Sequence, residues 1–172
     1  MANTNKRTEP DVHASLEIDP STPGTIVRIA MAAETVLNFT VSFALIFGAE
    51  KVLPRLCMTD GIRATPAACS VAQWFGVATI SNTIPMLLAI PNKPGAIELR
   101  RLSYHMYTVY EAVAMPVVFW QMWVAGEAGS GMNVDKLLWK FGLPMIPFIS
   151  FRLYSLLVKP EWMGKYRVKR RD

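Results

Sequence analysis

From Ala64 to Asn92 the chain runs for 29 residues without a charged side chain. At about 1.5 Å per residue, a helix of that length exceeds the roughly 30 Å hydrocarbon thickness of a bilayer. The run therefore reads as a membrane span, tilted or kinked near Pro85. Pro91 and Pro94 close it, because proline removes a backbone donor and disfavours helix in the residue before it. Composition agrees: residues of the AVILMFWYC set make up 52% of the 172 residues and charged ones only 18%. A soluble domain carries about 25% charge to keep its surface wet, and here mean hydropathy is positive at +0.25. These values exclude a secreted disulfide scaffold, a disordered chain and most soluble enzyme folds.

Three further stretches share the pattern of an apolar run with one or two embedded charges. Ile29 to Ala49 contains Glu34; His105 to Gly126 contains Glu111 and ends in the aromatic cluster Trp120-Gln121-Met122-Trp123, as expected at a headgroup level. Leu137 to Val158 contains Lys140 and Arg152 and is interrupted by Pro144 and Pro147. The alternative is a soluble bundle of buried helices. Against it, a soluble amphipathic helix shows a wide polar face, whereas Val113 to Val124 offers only Gln121. The expected fold class is all-α, an integral membrane four-helix bundle. Residues 1–25 form a flexible cytosolic tail, 26–158 the four-span domain, and 159–172 a basic cytosolic tail.

Cation placement orients the bundle. With both termini cytosolic, that side holds twelve Lys and Arg residues, among them Arg28, Lys93, Arg100 and Arg101. The opposite side holds five, Lys51, Arg55, Arg63, Lys136 and Lys140. The net charge of +5 is concentrated after the last apolar stretch, so the expected partner is the anionic surface of a lipid bilayer and not nucleic acid. Residues 1–25 lack the apolar core of a cleaved signal, so the first span itself directs insertion. The closing Lys169-Arg170-Arg171-Asp172 reads either as a dibasic retrieval signal of the endoplasmic reticulum or as a plain lipid anchor. An internal membrane is the expected location.

Cys57 and Cys69 are open to two readings, a pair in an oxidising lumen or two free thiols. The Asn38-Phe39-Thr40 sequon falls inside a span and is expected to stay unmodified. No Gly-rich phosphate loop, CxxC, HExxH or GxSxG occurs, and His13 and His105 lie too far apart in sequence for a metal motif. No cofactor and no metal are expected.

The chemistry-bearing residues are those inside the spans, where an ionisable group costs roughly 2.5–3.5 kcal/mol and needs a partner or a purpose. Counted from the flanking cations at the helical rise, Glu111 lies about 15 Å deep, Glu34 about 9 Å and Arg152 about 10 Å. Asn82, counted from Ile90, lies about 12 Å deep. Each helix thus brings a polar group to the cytosolic half. Tyr104, Tyr107, Thr108 and Glu111 fall within an arc of about 100° on one helix, with His105 on its flank. Glu34, Asn38 and Ser42 follow at i, i+4 and i+8 on another. These stripes are expected to face one another.

The feature order also carries a resemblance. A first span ends in Phe47-Gly48-Ala49-Glu50-Lys51-Val52-Leu53-Pro54, Gln73-Trp74-Phe75-Gly76 opens a second, and the third is rich in Tyr and His. This resembles the small four-helix DoxX-like integral membrane proteins over about residues 26–158. The resemblance implies the fold and assigns no catalytic residue. Small membrane isomerases and cyclases of sterol or terpenoid metabolism share the outline.

Two carboxyls facing one guanidinium set the functional expectation. The second carboxyl, without a counter-charge, keeps its proton, which is the condition of a general acid. Glu111, Glu34 and His105 are the candidate catalytic residues. Tyr104, Tyr107, Asn82, Arg152 and Asn38 are the candidate binding residues, with Arg152 and Asn82 holding the carboxylates. The expected substrate is an apolar small molecule of lipid, sterol or terpenoid type, isomerised or cyclised by proton transfer. The competing readings are a non-catalytic subunit or assembly factor held to a membrane-protein partner, with the same residues as structural glue, and ion transport.

Overall fold

The computed structural model describes residues 16–168; the amino-terminal part of the first tail and the closing Lys169–Asp172 motif lie outside the described residues. Within them the chain is mostly helical, with four long helices. These are α1 (Thr25–Leu56), α2 (Pro66–Ala89), α3 (Ala96–Trp120) and α4 (Val134–Val158).

The boundaries follow local chemistry. Gly24 precedes α1 at φ +74°, and no side chain fits there: a Cβ would stand 2.6 Å from the Met163 carbonyl oxygen and 2.7 Å from Arg100 Nη1. Thr65 caps α2 by accepting from the Ala68 N–H at 3.2 Å, with Pro66 preorganised at the first helical position. Asn133 caps α4 in the same way, accepting from the Lys136 N–H at 2.9 Å. α3 continues past Trp120 as a wider turn over Gln121–Ala125 and stops at Gly126, φ +61°. α4 widens its turn over Leu138–Gly142, the stretch that holds the Lys140 carbonyl to which Pro144 cannot donate, and then continues as a regular helix through Pro147.

The sequence reads Ala64–Asn92 as the clearest span, and the structure alters that ranking. By length and composition the two helices apolar enough to cross a membrane are α1 and α4. α2 is uncharged but laced with Ser70, Gln73, Thr79, Ser81, Asn82 and Thr83, and absence of charge is a weaker criterion than hydropathy.

α1 and α2 form the most intimate antiparallel pair. Gly76 lets the backbones close: a Cβ would meet Ile46 Cγ1 at 2.9 Å and the Ser42 carbonyl oxygen at 3.0 Å. Gly76→Val is therefore expected to lower stability by about 1–3 kcal/mol, read as a drop in melting temperature. Gly129→Val, where only Ala125 Cβ approaches at 3.4 Å, should change little.

The ends are tied differently. The first tail is not wholly separate: β1 (Leu16–Ile18) pairs antiparallel with β2 (Tyr166–Val168), and Arg167 holds Glu17 at 2.7 Å. The all-α expectation thus gains a two-stranded sheet, and both tails leave the same end of the bundle. At the opposite end Met58 bridges to Met132. There Lys136 Nζ donates to the Pro54 and Met58 carbonyls at 2.9 and 3.0 Å, satisfying the C-terminus of α1. Its hydrogen bond to Asp60 at 2.6 Å holds that carboxyl below its ordinary value. Cys57 and Cys69 are both free.

Polarity is inverted relative to a water-soluble bundle. Phe43, Phe47, Trp74, Val124 and Leu157 are exposed, whereas Glu34, Ser42, Thr83, Arg100, Ser103, Glu111, Arg152 and Ser155 are buried. The apolar core is split into clusters at the two ends and between α1 and α2. Glu34, Glu111 and Arg152 occupy the space between helices.

Candidate functional site

The polar stripes of α1 and α3 do face one another, and α4 supplies the group between them. Arg152 Nη2 donates to Glu34 Oε2 at 3.0 Å, and Arg152 Nη1 forms an ion pair with Glu111 Oε2. All three are buried, at 5%, 6% and 3% exposure for Glu34, Glu111 and Arg152. The guanidinium carbon also lies 5.1 Å from the Tyr107 ring centroid, 5.8 Å from Phe148 and 5.9 Å from Tyr104. Aromatic faces solvate a cation where water is excluded.

This arrangement corrects one expectation. Neither carboxyl stands apart; one guanidinium serves both, since its planar fork presents nitrogens in two directions. The charge imbalance remains. With both carboxyls ionised the cluster carries one net negative charge, and a single proton makes it neutral.

A second network abuts the first. Thr83 donates to the Thr79 carbonyl at 2.7 Å, which uses its only proton. It therefore accepts from Tyr107 Oη at 2.7 Å, and Asn38 Nδ2 donates to Tyr107 Oη at 3.1 Å and to Thr83 Oγ1 at 3.2 Å. Tyr107 is thus a positioning residue, its proton engaged and its ring face set against Arg152. Tyr104 differs: it is fully buried, and its hydroxyl has no partner among the described residues. The hydroxyls of Ser103, Thr108 and Ser155 are likewise unpartnered. Such an interior has room in its hydrogen bonding for water or a ligand.

Two sequence-derived candidates fall outside. His105 is exposed; six residues from Glu111 at 100° each leave it about 120° round the helix, and the pair never meets. Asn82 is also exposed, and Thr83 takes the interior place assigned to it. The spacing from Gly76 could have shown this, since seven residues are two helical turns and bring Thr83 onto the face that packs against α1. Arg100, read as a cytosolic surface cation, is wholly buried at the end of the bundle. Among the described residues no three His, Cys, Asp or Glu side chains gather in a metal-binding group.

Access decides what the site can do. A groove of about 350 Å³ lies between α1 and α4, walled by Ala30, Ala33 and Leu37 on one side and Pro147, Phe148 and Phe151 on the other. Glu34 is its one charged lining residue. Towards the paired tails the way is closed by Met31, Met86, Tyr104 and Met163, none of them exposed. A larger recess of about 670 Å³ opens beside the Gly48 break in α1, but it shares no residue with the ion-paired cluster. The groove leads sideways out of the bundle.

No family model, no curated protein and no solved structure matches this chain. The functional reading therefore rests on the site.

Proposed function

We propose that the chain is a multi-pass membrane protein that receives an apolar small molecule from the bilayer through the α1–α4 groove and presents it to Glu34. The observation that carries this is the groove itself, an apolar lateral opening whose single charged lining residue belongs to a buried ion-paired cluster. Such pockets, mostly apolar with few converging polar groups, are the usual form of small-molecule sites.

Membrane residence is supported by the inverted polarity and by the apolar windows of α1 and α4. These are only 28% and 17% buried within the protein, whereas a core helix of a soluble protein would be mostly covered. In this reading all four helices cross, the paired tails are cytosolic, and the basic tail meets an internal membrane such as the endoplasmic reticulum.

The chemistry that suits the site is acid–base isomerisation or cyclisation of an alkene. The singly protonated cluster is neutral. Glu34 gives its proton to one alkene carbon, the π pair forms the new C–H bond, and the neighbouring carbon becomes cationic. Loss of a proton from the next carbon to the Glu34 carboxylate shifts the double bond and restores the acid. Glu111 and Arg152 hold the charge balance, and Tyr107 holds Arg152.

The second reading, a non-catalytic subunit with a structural ion pair, is favoured by the enclosure of Glu111 on all sides. Organic extraction of the purified protein followed by mass spectrometry separates the two. The wild type is expected to retain an apolar molecule that Ala33→Trp, which fills the groove, and Glu34→Gln each lose at least tenfold, with melting temperature nearly unchanged. Equal retention in all three, with a lower melting temperature for Glu34→Gln, would leave the structural reading.

A further inference from the structure

We propose that the α1–α4 groove takes a lipophilic amine and holds it as an ammonium ion against Glu34. The proposal rests on the groove reading above and names a ligand class for that same site.

The charge count comes first. Glu34, Glu111 and Arg152 are buried together, and with both carboxyls ionised they carry one negative charge in excess. Among the described residues no second cation pairs with either carboxyl. A buried excess charge requires a counter-charge or a proton.

The open position is on Glu34. Its Oε2 accepts from Arg152 Nη2 at 3.0 Å, whereas Oε1 has no hydrogen-bond partner among the described residues and is not one of the wholly enclosed unpartnered atoms. Glu34 lines the groove, and Glu111 and Arg152 do not. The excess charge of the cluster is thus presented to the groove by one carboxyl.

The walls select the occupant. Ala30, Ala33, Leu37, Pro147, Phe148 and Phe151 offer no side-chain donor and no cation. A carboxylate or phosphate would meet only repulsion from Glu34. An alcohol donates to Oε1 but leaves the excess charge uncompensated. An ammonium donates and also supplies the missing charge, and Phe148 and Phe151 offer aromatic rings to a cation that has left water. Its alkyl body suits an apolar groove that opens sideways.

The proton balance closes without a further reactant. The amine enters from the bilayer as the free base and meets the singly protonated, neutral cluster. The nitrogen lone pair forms an N–H bond as the Glu34 O–H bond breaks. An alkylamine resembles the lysine side chain, whose unperturbed pKa is about 10.4, so the proton stays on nitrogen. The ammonium then occupies the place where the cationic carbon of the isomerisation would form, and the amine competes with the apolar molecule.

The test is equilibrium dialysis of radiolabelled N,N-dimethyldodecylamine against the full chain in phosphatidylcholine nanodiscs, with binding to empty nanodiscs subtracted. The wild type is expected to bind saturably, and excess unlabelled amine should displace the label where equal 1-dodecanol does not. Glu34→Gln and Ala33→Trp should each weaken binding at least about tenfold. Glu111→Gln lies outside the groove yet should weaken it similarly, because it neutralises the cluster. The amine–alcohol comparison uses the wild type alone, so it decides the matter even where a variant fails to fold. Equal displacement by dodecanol, or a folded Glu34→Gln variant with wild-type affinity, overturns the proposal. A wild type that retains an apolar molecule on extraction but binds no amine defeats only this proposal, whereas one that does neither defeats the groove reading as well.

Discussion

Arg152→Met is expected to cost about 3–5 kcal/mol and to lower the melting temperature in detergent by roughly 6–20 °C. The single change strips the guanidinium from Glu34 and Glu111 together and leaves two buried carboxyl groups with no counter-charge. Removing one member of a buried pair is costly for this reason, whereas replacing the whole set by neutral groups is often close to neutral. The triple variant Glu34→Gln, Glu111→Gln, Arg152→Met should accordingly regain most of the lost stability while losing the apolar molecule that the wild type retains. An Arg152→Met protein that melts with the wild type would show that the carboxyls need no counter-charge, and the ion-paired centre would cease to explain why the helices assemble.

The second large effect is expected at the end of the bundle. Among the described residues Arg100 has no carboxylate partner. It donates instead to the Ala89 carbonyl at 2.9 Å, the Met163 carbonyl at 2.7 Å and Asn92 Oδ1 at 2.6 Å, with longer bonds to the Pro23 and Ile90 carbonyls. Three separate stretches of chain, before α1, after α2 and after α4, thus end on one side chain. Each buried acceptor left without a donor costs about 1–3 kcal/mol, so Arg100→Met should lose at least about 3 kcal/mol, or roughly 6–12 °C. Arg100→Lys should recover less than half, because a single ammonium cannot span the angles the guanidinium fork covers, and Asn92→Ala should cost least. Thermal melts of the three variants check the order. Equal stability of the Lys variant and the wild type would mean that charge alone, and not the fork, closes this end.

Which parts of this were legible beforehand follows from the kind of signal each left. The four helices were marked by long apolar runs and by prolines, and the inward faces of α1 and α3 by polar residues recurring every turn. Glu34, Asn38 and Ser42 could be placed on one stripe because their neighbours are unmistakably apolar. α2 gave no such contrast: with serines and threonines on every side, Asn82 was assigned the interior that Thr83 occupies. Arg100 was unreadable for a different reason. Four of its five acceptors are backbone carbonyls contributed by turns and by the end of α2, and a carbonyl leaves no trace in a side-chain pattern. The strand pair was hidden by distance, since two three-residue segments 150 positions apart along the chain carry too few residues for periodicity to register.

The separation between Glu34 and Arg152 also has a meaning in time. The two residues are 118 positions apart, and at about 5–20 residues per second a ribosome needs roughly 6–24 s to cover that interval. On the membrane reading, α1 enters the bilayer with its carboxyl long before the matching guanidinium has been synthesised. During that window Glu34 requires a proton or a temporary partner at the insertion site. The native ion pair is therefore an event of late assembly, and the order of synthesis makes α4 the element that converts four inserted helices into one packed unit.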